Sequence, residues 1–243
     1  MKCVHHVALT LYDYCMKGKK NNCDLNTCFL CKLCLKEWHP AIEANRKTYH
    51  IKKGEVLFKE GETVTGVYFV YDGKVKVHKK WGEDKELIIR IAGKGAIAGH
   101  RGLGTNTVYP VTGTALEPST ICFISLDFFM TTLKVNHEFT YQLMMFFADE
   151  LQESERKMRD LAHMPVKGRV AQALLSLKAK FGETEDGNIN IILSRQDLAS
   201  YTGTTYETVF RIINELVDEG AIKVSGKNIA IADVPKLFSL TKH

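Results

Sequence analysis

From Leu193 to Gly220 the chain runs LSRQDLASYTGTTYETVFRIINELVDEG, and its apolar positions change phase once, around Gly203. After that glycine, Val209, Ile212, Ile213, Leu216 and Val217 recur at i, i+3, i+4, i+7 and i+8, the spacing of one buried helical face. The opposite face carries Tyr206, Glu207, Phe210, Arg211 and Asn214. Ser194 with Asp197, and Thr204 with Glu207, are N-terminal capping signals, so the pattern predicts two helices joined by a glycine turn. Ile222 to Ile231 alternates around Ser225-Gly226-Lys227-Asn228 and predicts a β-hairpin. Further upstream, Met144, Phe147, Leu151, Ser154, Met158 and Leu161 follow a 3-4 spacing along a helix that Asn136 can cap and that runs to about His163. Phe139, Leu143 and Phe146 line an adjoining face, so this helix is predicted to serve both a domain and a twin subunit. Pro165 starts another helix, Val166 to Phe181, ended by Gly182, and Ile189 to Leu193 reads as a short strand. Between residues 48 and 134 the period falls to two. Val56-Leu57-Phe58, Val67 to Val70, Lys74 to Val77, Glu86 to Ile91 and Thr120 to Ile124 are short runs separated by glycines, which predicts an all-β barrel or roll.

Two helices about a glycine turn, followed by a hairpin, make a winged helix-turn-helix. The second helix, Thr204 to Asp218, suits a DNA major groove, where Arg211 can fork onto guanine and Glu207 can accept from cytosine. Tyr206 and Phe210 are predicted to tune the sequence read, through a thymine methyl, and Ser194, Thr205 and Lys227 to meet phosphates. Glu207-Thr208-Val209-Phe210-Arg211 resembles the Glu-(Thr/Ser)-x-x-Arg run in the recognition helix of CRP/FNR-type bacterial transcription regulators. The likeness extends by pattern over roughly residues 48 to 243. The predicted fold class is α+β: an N-terminal β-roll of the jelly-roll, double-stranded β-helix type, a long dimerisation helix and a C-terminal winged helix-turn-helix. The division expected is a cysteine-rich segment over 1–47, a sensory β-roll over 48–134, the dimer helix over 135–162 and the DNA-binding domain over 163–243. Phe210 departs from the small residue usual at its place, so the operator of a relative does not carry over.

Composition narrows this little. The net charge of +5 permits nucleic-acid binding, yet from Ala162 onward ten Lys and Arg stand against nine Asp and Glu, a net of +1. DNA binding must therefore rest on where the charges sit rather than on how many there are. No apolar stretch reaches 18 residues and the start has no secretory pattern, so a cytoplasmic protein is expected. Seven cysteines in that setting point to metal, thiol or redox chemistry rather than structural disulfides.

Six of the seven fall within the first 34 residues, densest as Cys23-x4-Cys28-x2-Cys31-x2-Cys34. Two-residue gaps wrap a loop around one centre, and Cys28, Cys31 and Cys34 match the first three ligands of a ferredoxin-type run. Trp38 stands where the fourth would be, so a cluster needs Cys23 or a distant thiol. The family resemblance supplies a candidate: Ala115 to Cys122 resembles the segment that gives FNR-type oxygen sensors the fourth ligand of a [4Fe–4S] cluster. Zinc, or thiols without metal, are the alternatives on the same residues, and Cys122 alone could be a small buried hydrophobe. Cys3, Cys15, His5 and His6 suggest no role.

The resemblance also raises cyclic nucleotides. Family members that bind one use a Gly-Glu for the ribose and an Arg-Ser for the phosphate. Here the matching stretch reads Gly95 to Leu103 and then Val108 to Val111, with His100 in the Glu place and Tyr109-Pro110 near the Arg-Ser. Proline donates no N–H and tyrosine carries no charge, so cAMP is not expected as effector. His100, Arg101 and Tyr109 remain a possible pocket for another ligand. The reading is a homodimeric regulator of duplex DNA, acting with RNA polymerase and sensing oxygen, nitric oxide or redox state through an iron–sulfur cluster. A regulator governed by another small molecule in the roll, with zinc or thiol cysteines, is the first alternative. A thiol or iron–sulfur enzyme is the second, although no nucleophile–base pair in recognisable context supports catalysis.

Overall fold

Alternation along the strands decides how the roll is layered. The computed structural model describes residues 24–82 and 85–242. Strands β1 (Arg46–Ile51), β2 (Val56–Phe58), β3 (Gly66–Asp72), β4 (Val75–Trp81), β5 (Lys85–Ala92), β6 (Ile97–Ala98), β7 (Thr112–Ala115) and β8 (Ser119–Ser125) form two antiparallel sheets, ordered β1-β8-β3-β6 and β2-β7-β4-β5. Period two sends Val70 and Ile121 inward, where they meet Val75 and Ala92 of the facing sheet. It sends Val67, Phe69, Cys122 and Ile124 to the opposite face, which is also buried. That second face is covered by α1 (Phe29–Leu33), α2 (His39–Asn45), α3 (Leu126–Val135) and the start of α4 (His137–His163). An antiparallel sheet buried on both faces explains why β3 reads as a nearly unbroken apolar run, GVYFVYD.

The winged unit follows α5 (Val166–Phe181). It comprises α6 (Arg195–Thr202), α7 (Tyr206–Asp218), the hairpin β9 (Ile222–Ser225) and β10 (Asn228–Ile231), and α8 (Val234–Ser239). Its core takes in Leu174, Leu198, Val209, Ile212, Ile213 and Leu216, and it continues into Ile88, Ile91 and Leu116 of the roll. The DNA-binding unit is thus packed against the outer side of β5, with Phe181 beside Gly93 and Leu161 and Leu87 beside Gly203.

Five local readings change. Residues 126–134, expected within the β-domain, and residue 135, expected to open the dimer helix, form α3, which turns the chain from β8 into α4. Asn136 does not cap α4 with its side chain: the amide donates to Thr132 O at 3.0 Å and the carboxamide oxygen accepts from Leu35 N at 2.9 Å. Ile189 to Leu193 is not a strand: it has an isolated bridge between Ile189 and Glu183 and scattered bonds from Ile189 N to Ile229 O and Asn190 N to Gly182 O in place of a ladder. The cap of α7 is Thr205 rather than Thr204, with Thr208 N donating to its hydroxyl. Val217, expected in the buried face of α7, lies toward solvent because that face closes at Leu216.

Candidate DNA-binding face and cysteine site

The helix-turn-helix is built from local rules. Ser194 caps α6, accepting from Asp197 N at 2.9 Å and donating to the Asp197 carboxylate at 2.5 Å. Gly203 follows α6 at φ +64°, a left-handed turn in which a Cβ would also strike Leu161. Val209, Ile212, Ile213 and Leu216 are fully buried, which turns Tyr206, Glu207, Phe210, Arg211 and Asn214 outward together. Arg211 is held against Glu215 one turn on, so its fork is extended along the helix before DNA arrives. Of the expected phosphate contacts, Lys227 stands exposed at the hairpin tip, whereas the hydroxyls of Ser194 and Thr205 are engaged as caps.

A residue that sequence reading passed over joins this face. Arg195, the first residue of α6, reaches the carbonyl of Gly226 in the wing at 3.4 Å. It ties the first helix to the wing, and its only signal was a basic residue directly after an N-cap. Arg169 acts behind the face, donating to Thr202 O at 2.9 Å, Gly203 O at 3.2 Å and Met164 O at 2.8 Å. One guanidinium thereby joins the end of α6 to the end of α4.

The expected dimer seam lies largely open in the single protomer: Met144, Phe147, Leu151, Met158 and Leu161 are exposed and Ser154 is half-buried between them. Leu161 departs from the others, since it also lies against Gly203 of the helix-turn-helix. Phe139, Leu143 and Phe146 pack on the roll and the cysteine segment.

The chain brings together cysteines that are far apart in sequence. Cys28, Cys31 and Cys34 lie on and beside α1, and β3–β8 pairing sets Cys122 opposite Phe69 on the face that α1 covers. All four thiols are buried in one apolar cluster with Leu30, Phe69, Ile124, Phe129 and Phe139. Cys28 and Cys122 line one small cleft with Thr27, Tyr71 and Gly95. Gly95, at φ +80°, lets the backbone approach closely: Phe29 N donates to Gly95 O at 2.9 Å, and a Cβ there would strike Thr27 O. Burial, and after it the nearby Cys28, push the Cys34 thiol up to about 12. The exit of the segment is held by Leu35 on Asn136, by Trp38 Nε1 donating to Thr132 at 3.1 Å, and by His39 donating to Cys31 O at 2.9 Å. Among the described residues no three His, Cys, Asp or Glu side chains close on one point as ligands of a single metal ion. Cys23, like Cys3, Cys15, His5 and His6, lies outside the described residues.

The possible pocket at His100, Arg101 and Tyr109 is not one pocket. Tyr109 is inside the roll, donating to Gly66 O at 2.8 Å. Arg101 reaches Glu150 of α4 at 2.7 Å, and Arg90, unmarked in the sequence reading, meets the same carboxylate at 3.1 Å and the Ile97 carbonyl at 2.7 Å. His100 is 2 % exposed, packs edge-on against Phe146 and Phe147, and has no hydrogen-bond partner among the described residues. Burial, then Arg90 and Arg101, hold it well below the usual imidazole range, so it is neutral. The two arginines facing α4 are thus already answered by a carboxylate of the chain itself.

Comparison with known proteins agrees with this geometry. Residues 48–136 match the cyclic nucleotide-binding domain family and residues 168–240 the Crp-like helix-turn-helix domain family. The chain is 33% identical over 180 residues to the cAMP-activated global transcriptional regulator CRP of Haemophilus influenzae, spanning 72% of this chain and 79% of that one. It is 30% identical over 194 residues to the Anaerobic regulatory protein of Bacillus subtilis, spanning 78% and 80%. The structure of FixK2 from Bradyrhizobium japonicum superposes with a TM-score of 0.74 at 23% identity, covering 82% of this chain and 98% of that one. Among the described residues no helix is long and apolar enough to cross a membrane. With a β-roll, a long shared helix and an outward-facing recognition helix on one chain, the protein belongs to the CRP/FNR family of transcription regulators, whose helix-turn-helix members bind DNA as dimers.

Proposed function

We propose that this regulator senses oxygen, nitric oxide or redox state through a [4Fe–4S] cluster held by its cysteines, and that the state of that site sets the dimer's affinity for DNA. The observation that carries the reading is the burial of Cys28, Cys31, Cys34 and Cys122 in one apolar cluster at the foot of α4. The donor set fits the group: four thiols, drawn from a short helix with its two ends and from a strand, in a shell that excludes water. A cluster takes its thiolates at separate irons, so it asks for a wider ring of sulfurs than one zinc ion, which needs all of them about 2.3 Å away. When bound, the cluster supplies one-electron and oxygen chemistry.

The chain's own residues supply the rest. Leu30, Phe69, Phe129 and Phe139 keep water from the thiols, and Cys34 must give up its proton to become a ligand. Phe29, between two of the cysteines, packs on Phe139 at 5.9 Å and Phe146 at 5.1 Å, so a shift of α1 is felt by the dimer helix. Cyclic AMP is not the effector on this reading, because Arg90 and Arg101 are paired with Glu150 and Tyr109 is committed to Gly66. Contact with RNA polymerase belongs to the same proposal, as does a cytoplasmic location. A relative named Anaerobic regulatory protein is consistent with it.

The test is purification without air, followed by a visible spectrum with iron, sulfide and zinc assays. The expected result is a brown protein with about four irons per chain, and loss of that iron in Cys122→Ser. A colourless protein carrying one zinc would make the cysteine segment structural and reject the proposal.

A further inference from the structure

We infer that Tyr206 and Phe210 form an apolar reading head for thymine, and that this chain's operator carries thymine methyl groups within reach of the guanine bound by Arg211. The two rings lie one turn apart on α7, stacked with centroids 6.3 Å apart and planes within 15°. They are 44% and 50% exposed on the helix face that also carries Glu207 and Arg211. Folding does not require them there. The buried side of α7 is supplied by Val209, Ile212, Ile213 and Leu216, and its N-terminus is already capped by Thr205. An aromatic pair left in water on the first two turns of a recognition helix is placed to meet the major groove.

The chemistry then selects the base. Among major-groove edges only thymine presents an apolar group, its C5-methyl, and the other positions are donors and acceptors. Phe210 offers neither donor nor acceptor, so a polar base edge buried beneath it loses its water without a partner in exchange. A thymine methyl is the one edge group that gains from that contact. The ring spacing approaches two base-pair steps of about 3.4 Å each, so the rings address two positions two steps apart rather than one position. Glu207 and Arg211 would read the cytosine or guanine beside them.

The experiment uses the full-length protein, purified without air, and a random 30-base-pair duplex library. Sites enriched by the wild-type chain are remade with deoxyuridine in place of each thymine, which removes only the methyl. Affinity should fall about fourfold per contacted methyl, the ratio that corresponds to about 0.8 kcal/mol for one buried carbon group. The same replacement should have no effect on Phe210→Ala for the methyl under Phe210, and Phe210→Leu should retain part of it. Enriched sites without thymine in the half-site, or a uracil effect equal in wild type and Phe210→Ala, would overturn the proposal while leaving DNA binding intact. A library from which the wild-type chain enriches no sequence would sink both this inference and sequence-specific binding. Unchanged binding of random duplex by Phe210→Ala establishes that the variant is folded, and this exposed side chain leaves the core of α7 untouched.

Discussion

Arg211 and Gly203 show how differently single residues carry the same activity. Arg211 is exposed, paired with Glu215, and placed to fork onto a guanine. Arg211→Ala should weaken the selected site by roughly 1–3 kcal/mol and relax its preference at one position. Fluorescence anisotropy on that site and on random duplex would show it, since equal losses on both would mean the residue meets only phosphate. Gly203 touches no DNA in this account, yet its φ of +64° admits a side chain only with strain of roughly 1–2 kcal/mol. The Cβ of Gly203→Ala would also push on Leu161. Urea unfolding of Gly203→Ala should therefore shift to a lower midpoint, and an unchanged midpoint would show that the turn relaxes freely. Both residues were legible in the sequence because capping, turn and helix-face rules are local. Arg195, Arg90 and Glu150 were not, because their partners lie in other elements and no spacing along the chain announces them. Asn136 misled for the same reason: it stands where a cap belongs, but Leu35 from the cysteine segment takes its oxygen.

Between elements, ion pairs join the parts that must communicate. Lys76 of β4 bridges Glu86 of β5 at 2.7 Å and Asp197 of α6 at 2.9 Å, while His78 lies 2.8 Å from Glu86. Asp197 thus serves both the cap of α6 and the contact with the roll. Although burial raises the Glu86 carboxyl, hydrogen bonds from His78 and Lys76 hold it at about 2, below its ordinary 4.5. A depressed carboxylate contributes stability that is complete above about 4.5 and lost as pH falls toward 2. Glu86→Gln should accordingly lower the urea midpoint at pH 7, and the gap from wild type should narrow at pH 3. A gap that stays constant would remove Glu86 from the linkage. Glu150 plays the corresponding part for α4, with Arg90 at 3.1 Å and Arg101 at 2.7 Å. Glu150→Ala leaves two half-buried guanidinium groups without their carboxylate, although Arg90 keeps the Ile97 carbonyl, so it should cut stability by about 1–3 kcal/mol. Thermal unfolding measures this, and a loss below about 1 kcal/mol would mean that water reaches the pair. Strands β2 to β5 and β8 to β10 and helices α4 to α7 were readable from period two and period 3.6. The missed α3 and the absent strand at 189–193 were not, because short apolar runs take their form from what packs on them.

For the whole molecule, the cysteine segment, the roll and the DNA-binding unit meet along α4. Its first turns are buried against α1 and the roll, its middle holds Arg90 and Arg101, and its last turn touches Gly203. The opposite stripe is left for a second copy. Leu151 is 60% exposed in one protomer, so Leu151→Arg should leave each chain folded and shift sedimentation from dimer to monomer, with weaker binding to a two-half-site operator. An unchanged dimer would move the interface elsewhere. The convergence of Cys122 with the N-terminal cysteines was suggested in the sequence only by resemblance, since neither spacing nor period relates residues 28–34 to residue 122. The register of β3 and β8 is what joins them.

The most direct test of the central claim follows DNA affinity and iron content in one sample, first without air and then after exposure to it. The account predicts that iron is lost from the cysteine site and that affinity for the selected operator changes with it by about tenfold or more, within the usual range of coupling between sites. Affinity that stays the same while the iron leaves, or a chain that never held iron and binds equally in both conditions, would contradict it.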